Sequence, residues 1–310
     1  MEIWIWIAVL VILFFAVIPM FVLPAVLYIV LLVRTKPEKW GRECSIPDDK
    51  EYKNMFDIGI AWDGQYASKK TAVDIVNDGY HLFGEYFDFG QNKAVIIIAG
   101  RMESLLYSYF FAEPYRVAGY NVLVIDNRSH GLSEGKVCSL GCKEYSDIIA
   151  WGKFLHDKLS NESVVLHGIC IGGSTALFAL TDKNCPDYMS AMVAEGMYTT
   201  FYESFKNHLI EKKKPVFPTA LLMMMYIRLF SGVNVLTNGP IKRIDKLTKP
   251  ILFIHSKQDI FSLPEKAQLL YNKCRAKKEL VWFNKGEHSR VRINDINGYD
   301  NAIISFLSGL

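Results

Sequence analysis

The chain has 310 residues, with 35 Lys and Arg against 32 Asp and Glu. This length suits one large domain with an anchor or two modest domains, and the near balance of charge excludes a nucleic-acid partner, which needs a long basic stripe. Six cysteines without a Cys-x-x-Cys pair indicate reduced thiols rather than a disulfide framework or a zinc site, so we expect no metal and no cofactor.

The N-terminus is apolar: residues 3–33 contain no charged side chain. A helix of that length would extend about 46 Å, against about 30 Å for the hydrocarbon core of a bilayer. We therefore expect a single-pass transmembrane anchor over residues 1–34, with Pro19 and Pro24 as kink points. A cleaved signal peptide is the less favoured alternative, because no basic segment precedes the run and no small-residue cleavage site closes it.

Charges at the ends of this segment predict its orientation. Glu2 precedes it, whereas Arg34, Lys36, Lys39 and Arg42 follow it. Because basic residues concentrate on the cytoplasmic side of membrane helices, we expect residues 34–310 to lie in the cytoplasm.

The remainder alternates between strand and helix patterns. Residues 35–70 read as a linker with a short helix near 50–61, and residues 71–310 as one domain that opens with a hairpin turning at Asn77-Asp78-Gly79. Predicted strands follow at 94–99, 121–126, 163–168, 191–195, 250–255 and 279–283, and predicted helices include 103–120, 143–159 and 265–275. Continuous apolar strands separated by helices indicate a mostly parallel, doubly wound α/β sheet of about eight strands.

One segment interrupts this alternation. Residues 199–247 separate two strands, and an insertion of that length is more often a lid or cap than a loop. Its apolar residues are interpreted either as ordinary cap core or as the wall of an acyl substrate pocket, since methionine adapts to varied apolar ligands. The pocket hypothesis names Met102, Met223, Met224, Met225 and Phe230.

The segment Gly168-Ile169-Cys170-Ile171-Gly172 joins a predicted strand to a predicted helix. Its Gly-x-nucleophile-x-Gly spacing is typical of a sharp turn that presents one side chain for attack. Cysteine stands where serine is usual, so Cys170 is either a nucleophile or an inert buried thiol. We expect Gly168 and Gly172 to be required sterically, because side chains there would collide with the neighbouring strand and helix.

Four motifs occur in the order expected of the α/β-hydrolase superfamily: "DNRSHGLSEGK" (126–136), "HGICIGG" (167–173), "PILFIHSKQD" (250–259) and "KGEHS" (285–289). The chain most resembles the bacterial membrane-anchored branch that is similar to serine aminopeptidases and acyl esterases. Its elbow is similar to the Gly-x-Cys-x-Gly-Gly of dienelactone hydrolases, which use cysteine. The resemblance covers about residues 70–310 and implies an α/β-hydrolase fold with a helical cap.

The order of the triad in this superfamily, nucleophile then acid then histidine, selects Cys170, Asp259 and His288. Cys170 would attack an acyl carbon, His288 would take its proton, and Asp259 would orient the imidazole. The oxyanion would accept hydrogen bonds from the backbone N–H of Ile171 and, by resemblance, of Arg101. Arg101 replaces part of the family's usual His-Gly turn, and its guanidinium is either a surface charge or a site for a substrate carboxylate or phosphate.

Three functions stay open from the sequence. The first is a membrane-anchored hydrolase of acyl esters, thioesters or small amides. The second is an acyltransferase with the same triad, and the third is an inactive hydrolase fold used for binding at the membrane. The expected partners are a small acyl substrate and the membrane, and the oligomeric state is open.

Overall fold

The computed structural model describes residues 2–310, without the side chains of residues 16 and 17. An eight-stranded sheet with strand order β1-β2-β4-β3-β5-β6-β7-β8 forms its centre. The strands are β1 Lys70–Asn77, β2 Tyr80–Phe87, β3 Lys93–Ile98, β4 Asn121–Ile125, β5 Ser163–Ile169, β6 Met189–Glu195, β7 Ile251–Ser256 and β8 Lys278–Phe283. Pairing is antiparallel from β1 to β2 and from β2 to β4, and parallel elsewhere. The predicted eight-stranded, mostly parallel sheet is confirmed.

Helices cover both faces of the sheet and one end of the molecule. They are α1 Glu2–Ile12, α2 Ile18–Leu32, α3 Lys50–Gln65, α4 Leu105–Ser108, α5 Glu113–Val117, α6 Tyr145–Asp157, α7 Ile171–Leu180, α8 Phe201–Glu211, α9 Thr219–Tyr226, α10 Pro264–Lys273, α11 Val291–Asn294 and α12 Ile296–Ser308. The central strands are buried on both faces, which explains why they read as continuous apolar runs rather than alternating ones.

The long helix predicted over residues 103–120 is wrong. The segment instead contains α4, a 3₁₀ turn at Tyr109–Phe111, and α5. Pro114 explains the break, because it has no N–H to donate to a carbonyl one turn earlier and its ring would clash with that carbonyl. It lies in the first turn of α5, where helices accept proline.

The residues between the N-terminal helix and α3 pack against the domain. Trp40 is buried with its indole stacked on the ring of His130 at 4.7 Å between centroids. Arg42 pairs with the buried carboxylate of Glu85 at 2.7 Å. This stretch therefore behaves as part of the domain surface, although its mixed polar composition reads as a linker.

The N-terminal helix runs over Glu2–Leu32 as α1, a π turn at Leu13–Val17, and α2. Pro19 has no N–H for the carbonyl of residue 15, which accounts for the looser turn before it. By length and composition this helix is apolar enough to cross a membrane, as an anchor or as a signal sequence.

The cap over residues 199–247 holds α8, α9, a π turn at Ile227–Ser231 and short 3₁₀ turns. Its inner side chains form one buried apolar cluster with the end of α2 and with residues near the start of α7. Two further clusters fill the two faces of the sheet. The cap thus lies between the N-terminal helix and the carboxyl ends of the strands.

Candidate active site

Cys170 sits alone between β5 and α7 in a strained backbone conformation. Its φ of 53° and ψ of −111° are rarely adopted by residues other than glycine. Such a conformation costs of order 1–3 kcal/mol and persists only where the surrounding packing imposes it. The N–H of Cys170 donates to the carbonyl of Glu195, at the end of β6, at 2.8 Å, which fixes the turn against the neighbouring strand.

Close backbone packing surrounds this turn. A Cβ on Gly168 would lie 2.2 Å from the carbonyl carbon of Gly172, and a Cβ on Gly172 would lie 2.1 Å from the carbonyl oxygen of Ile98. Neither approach is compatible with a side chain, because the opposing atoms are backbone. These two contacts are the physical basis of the steric role predicted for Gly168 and Gly172.

Asp259 and His288 are brought together in loops after β7 and β8. His288 Nδ1 lies 2.7 Å from Asp259 Oδ2. The other carboxylate oxygen, Oδ1, accepts the backbone N–H of Phe261 at 2.9 Å and of Ser262 at 2.7 Å. The carboxylate is therefore held from three sides and can orient the imidazole.

Charges in this site shift the pKa values of the aspartate and the histidine in opposite directions. Burial acts to raise the pKa of Asp259, but the charge of His288 and the hydrogen bonds to the carboxylate outweigh it and lower the pKa. Burial acts to lower the pKa of His288, but the charge of Asp259 and the interaction with Cys170 outweigh it and hold the pKa well above its usual value. A histidine that is bound to a carboxylate and interacts with a cysteine is the arrangement that cysteine nucleophiles use with their general acid.

Gly196 lies over the histidine and aspartate. Its φ is 60°, and a Cβ there would lie 3.2 Å from His288 Cε1 and 3.6 Å from Asp259 Oδ2. The left-handed backbone and the close contact both favour glycine. This residue was not identified from the sequence, although the turn after the strand "AMVAE" marks its position.

The two predicted oxyanion donors lie in adjacent loops. The contact between Gly172 and Ile98 places the start of α7 against the end of β3, and Arg101 and Ile171 line the same small cavity. Within residues 2–310, the backbone N–H of neither Arg101 nor Ile171 donates to a protein acceptor. Neither N–H is therefore occupied by another group of the described chain, although the cavity that both residues line does not include Cys170 or His288.

Two carboxyl groups near the site, the half-buried Glu103 and the fully buried Glu195, were not identified from the sequence. Glu103 accepts from the backbone N–H of Gly100 at 2.9 Å and from the hydroxyl of Tyr52, so it holds the turn that carries Arg101. Burial raises its pKa. Glu195 accepts from the hydroxyl of Tyr299 at 2.5 Å, and burial raises its pKa to about 7.

His288 interacts with both carboxyl groups, because its positive charge lowers the pKa of each. The positions of Glu103 and Glu195, one at a loop and one at a strand end, carry no sequence pattern that distinguishes them from surface carboxylates. Both can be recognised only from their environment in the folded protein.

The residues predicted to line a substrate pocket fall into two groups, one buried or packed on the cap cluster and one exposed. Met223 and Met224 are buried in the cap cluster, and Met102 packs at its edge beside Cys170. Met225 and Phe230 are exposed, and the ring of Phe230 packs at a tilt against Tyr28 of the N-terminal helix, with 5.5 Å between centroids. Those two therefore lie on the outer side of the cap, away from the buried methionines.

Arg101 is half-buried, and within residues 2–310 its guanidinium lies within 4.0 Å of no carboxylate. Its Nη1 instead contacts the sulfur of Met102 at 3.2 Å. A cation in this position can meet a negative group on a bound molecule.

Comparison with known proteins agrees with this architecture. Residues 93–215 match the sequence profile of the alpha/beta hydrolase fold. The Bacillus subtilis (strain 168) protein YqkD is 29% identical over 246 residues, which cover 78% of this chain and 80% of YqkD. The Arabidopsis thaliana alpha/beta hydrolase domain-containing protein WAV2 is 25% identical over 208 residues, or 60% of each chain.

Solved structures show the same fold. The Pyrococcus furiosus esterase Pf2001 superposes with a TM-score of 0.67 at 23% identity, over 80% of this chain and 93% of its own. The esterase EaEST from Exiguobacterium antarcticum gives a TM-score of 0.58 at 17% identity, over 77% of this chain and 100% of its own. The chain therefore has the α/β-hydrolase fold.

Proposed function

We propose that this protein is a hydrolase of acyl esters, thioesters or small amides that uses Cys170 as nucleophile, His288 as general acid and base, and Asp259 to orient the imidazole. The observation that carries the proposal is the strained turn at Cys170 together with a His288 that lies 2.7 Å from Asp259 and whose pKa is raised by Asp259 and by Cys170. The similarity in fold to the two esterases supports the reaction class.

The proposed reaction uses these groups in turn. The Cys170 thiolate attacks the acyl carbon, and the carbonyl oxygen, now negative, accepts hydrogen bonds from the backbone N–H groups of Ile171 and Arg101. His288 gives its proton to the leaving oxygen, sulfur or nitrogen, which departs and leaves an acyl thioester on Cys170. His288 then takes a proton from water, the hydroxide attacks the thioester, and the acid product leaves as the thiol group is restored.

Replacing the nucleophile tests this. In Cys170→Ala, hydrolysis of short p-nitrophenyl esters should fall by at least about 10³-fold while the thermal unfolding temperature stays close to that of the wild type. The matched control is Cys185→Ala, a half-buried cysteine in the loop after α7, which should keep full activity. Unchanged hydrolysis by Cys170→Ala would exclude the proposed nucleophile.

Trapping the intermediate separates hydrolysis from acyl transfer. After rapid acid quench, mass spectrometry should find the acyl group on the peptide that carries Cys170. Added amines or alcohols should not yield acylated products faster than they do without the protein. A dominant transfer product would assign the same site to an acyltransferase, whereas absence of any adduct on a correctly folded chain would favour a binding role.

We further propose that the N-terminal helix anchors the protein in a membrane with residues 34–310 in the cytoplasm. The basic residues after the helix support this orientation. In the folded protein Lys39 Nζ donates to the carbonyl of Ile29 at 2.7 Å, and Arg34 donates to the carbonyl of Gly131 at 2.6 Å. These contacts hold the helix end on the domain, so the two charges also fix the anchor in place.

Labelling tests the orientation. A cysteine introduced as Leu132→Cys, at an exposed position of the domain, should react with a membrane-impermeant maleimide only after the expressing bacterial cells are opened. Labelling on intact cells would reverse the proposed orientation. Recovery of the chain in the soluble fraction would contradict the proposed membrane anchor.

A further inference from the structure

The outer side of the cap exposes apolar side chains at helical spacing. Leu221, Met225 and Leu229 follow one another every four residues along α9 and the π turn after it, and all three are exposed. Side chains at that spacing project from one side of a helix. The opposite side, with Met223 and Met224, is buried. A helix that is apolar on both sides is typical of a buried or lipid-contacting element rather than of a solvated surface.

This exposed stripe adjoins the N-terminal helix. The hydroxyl of Tyr226 donates to the carbonyl of Phe21 at 3.2 Å, and the hydroxyl of Tyr28 lies 3.1 Å from Ser231 Oγ. These two contacts hold α2 alongside α9. The outward side of α2 is apolar and exposed as well, with Val22, Val26, Ile29 and Val30. The two helices together present one apolar surface that continues along α1.

The length of the N-terminal helix indicates where this surface lies. The helix has 31 residues. At 1.5 Å per residue it is about 46 Å long, so about a third of it exceeds the roughly 30 Å hydrocarbon core. The part that contacts the cap, from Phe21 to Leu32, is also about a third of the helix. A membrane crossed by the first two thirds therefore meets the cap at the level of its headgroups.

Basic residues lie close in sequence to this surface. Lys212, Lys213 and Lys214 are exposed immediately after α8, and Arg228 is exposed beside Leu229. Within the described residues 2–310, none of these four forms an ion pair with a carboxylate. Lysine and arginine beside exposed apolar side chains are typical of elements that lie in a membrane interface.

We propose that the outer face of the cap, formed by Leu221, Met225, Leu229 and Phe230, is a second membrane-contacting surface, covered by the bilayer that holds the anchor. This rests on the anchoring and the triad proposed above. The buried cap cluster includes Tyr28 and Met223 and contacts Cys170, so apolar side chains continue from the anchor to the sulfur. The substrate class is accordingly an acyl lipid that reaches the site from the bilayer rather than from water.

Photochemical labelling by lipid tests the surface without using activity. The full chain is reconstituted into phosphatidylcholine vesicles that contain phosphatidylglycerol and a phosphatidylcholine with a diazirine on its acyl chain. After irradiation, mass spectrometry should find adducts both on residues 2–20 and on residues 219–230, equally in the wild type and in Cys170→Ala. Adducts on 2–20 alone would overturn the proposed surface, and adducts on neither would overturn it together with the anchor.

A charged variant tests the consequence for the substrate. In the full chain with Leu221→Glu and Leu229→Glu, lipid adducts on residues 219–230 should fall about 5-fold or more. Hydrolysis of 4-methylumbelliferyl oleate dissolved in the vesicles should fall about 10-fold or more, while hydrolysis of water-soluble p-nitrophenyl acetate stays within about two-fold.

The matched control is Leu269→Glu, at a comparably exposed leucine on α10, outside the cap. It should change neither the adducts nor the oleate reaction. A charged cap variant that matches this control would overturn the proposal. Loss of both reactions with adducts retained would also count against it, because the cap face would then act on catalysis and not on access from the bilayer.

Discussion

The sheet edge that carries Cys170 and the cap above it are held by different interactions. At the sheet edge, backbone atoms meet backbone atoms around Gly168 and Gly172, and Asp259 is fixed by backbone N–H groups. In the cap, long flexible side chains such as Met223 fill the interior. The first arrangement positions reacting atoms closely, whereas the second tolerates varied apolar ligands. The comparison supports the proposal that the sheet edge carries the reaction and the cap selects the substrate.

The largest effect should come from filling the contact at the elbow. In Gly172→Val the new side chain would occupy the space of the Ile98 carbonyl oxygen, so we expect little or no folded protein. Yield of monodisperse protein and circular dichroism measure this. The matched control is Gly64→Ala in α3, where a Cβ meets nothing within 4 Å. It should fold normally and gain about 0.5–1 kcal/mol, and a well-folded, active Gly172→Val would refute the close contact.

Removing the charge of Asp259 should lower the activity while the fold is retained. With an alkyl ester that has a poor leaving group, Asp259→Asn should lower kcat by about 10²- to 10⁴-fold. Because the raised pKa of His288 keeps the imidazolium proton available above its usual range, the alkaline limb of the wild-type kcat/KM profile should lie well above pH 6.5.

The sign of the pH change follows from the same charges. Loss of the Asp259 carboxylate removes a cause that raises the pKa of His288, so the alkaline limb should move to lower pH in Asp259→Asn. Acid product released between about pH 5 and pH 10 gives the profile. A limb that stays in place would show that Asp259 does not set the protonation of His288.

Truncating the cap interior should cost stability more than chemistry. Met223 is fully buried, so Met223→Ala should lower the free energy of unfolding by about 2–5 kcal/mol and raise KM for long acyl chains more than for acetate. Met225→Ala, on the exposed side of the same helix, is the control and should change stability by less than about 0.5 kcal/mol. Equal losses in the two variants would contradict the assignment of inner and outer sides.

The smallest effect concerns the contact between anchor and cap. Tyr28→Phe removes the hydroxyl that lies 3.1 Å from Ser231 Oγ, and should cost about 0.5–1.5 kcal/mol. Thermal unfolding in one detergent, for Tyr28→Phe, Ser231→Ala and the double variant, measures the coupling between the two groups. Strictly additive losses would mean that this hydrogen bond does not join the two elements.

The strands and the elbow could be predicted because their signals are local. β3 and β4 are buried on both faces and read as apolar runs, and the glycine spacing around Cys170 marks a sharp turn whatever the rest of the chain does. The pairing of Asp259 with His288 is long-range, and it was predicted only because the superfamily supplies the order of the triad. The break at Pro114 had a local signal that the apolar period concealed.

Glu103 and Glu195 show what sequence alone could not provide. Their side chains are common surface types, and only the tertiary fold withdraws them partly or fully from solvent, where the charge of His288 affects their pKa. The two sides of α9 are a second case: the letters "ALLMMMYIRLF" are apolar throughout, and the docking of α2 and the domain decides which of them are covered. Exposure depends on neighbours that are distant in sequence, so no local pattern encodes it.

The amino-acid sequence thus determined the strands, the strained turn at Cys170 and an apolar N-terminal helix, because each depends on the steric and solvation properties of adjacent residues. The tertiary structure decided which carboxyl groups lie where the charge of His288 affects their pKa, which cap residues face outward, and how the end of that helix lies against the cap. Those outcomes arise from burial and from distances between segments far apart in the chain, which exist only once the sheet has assembled.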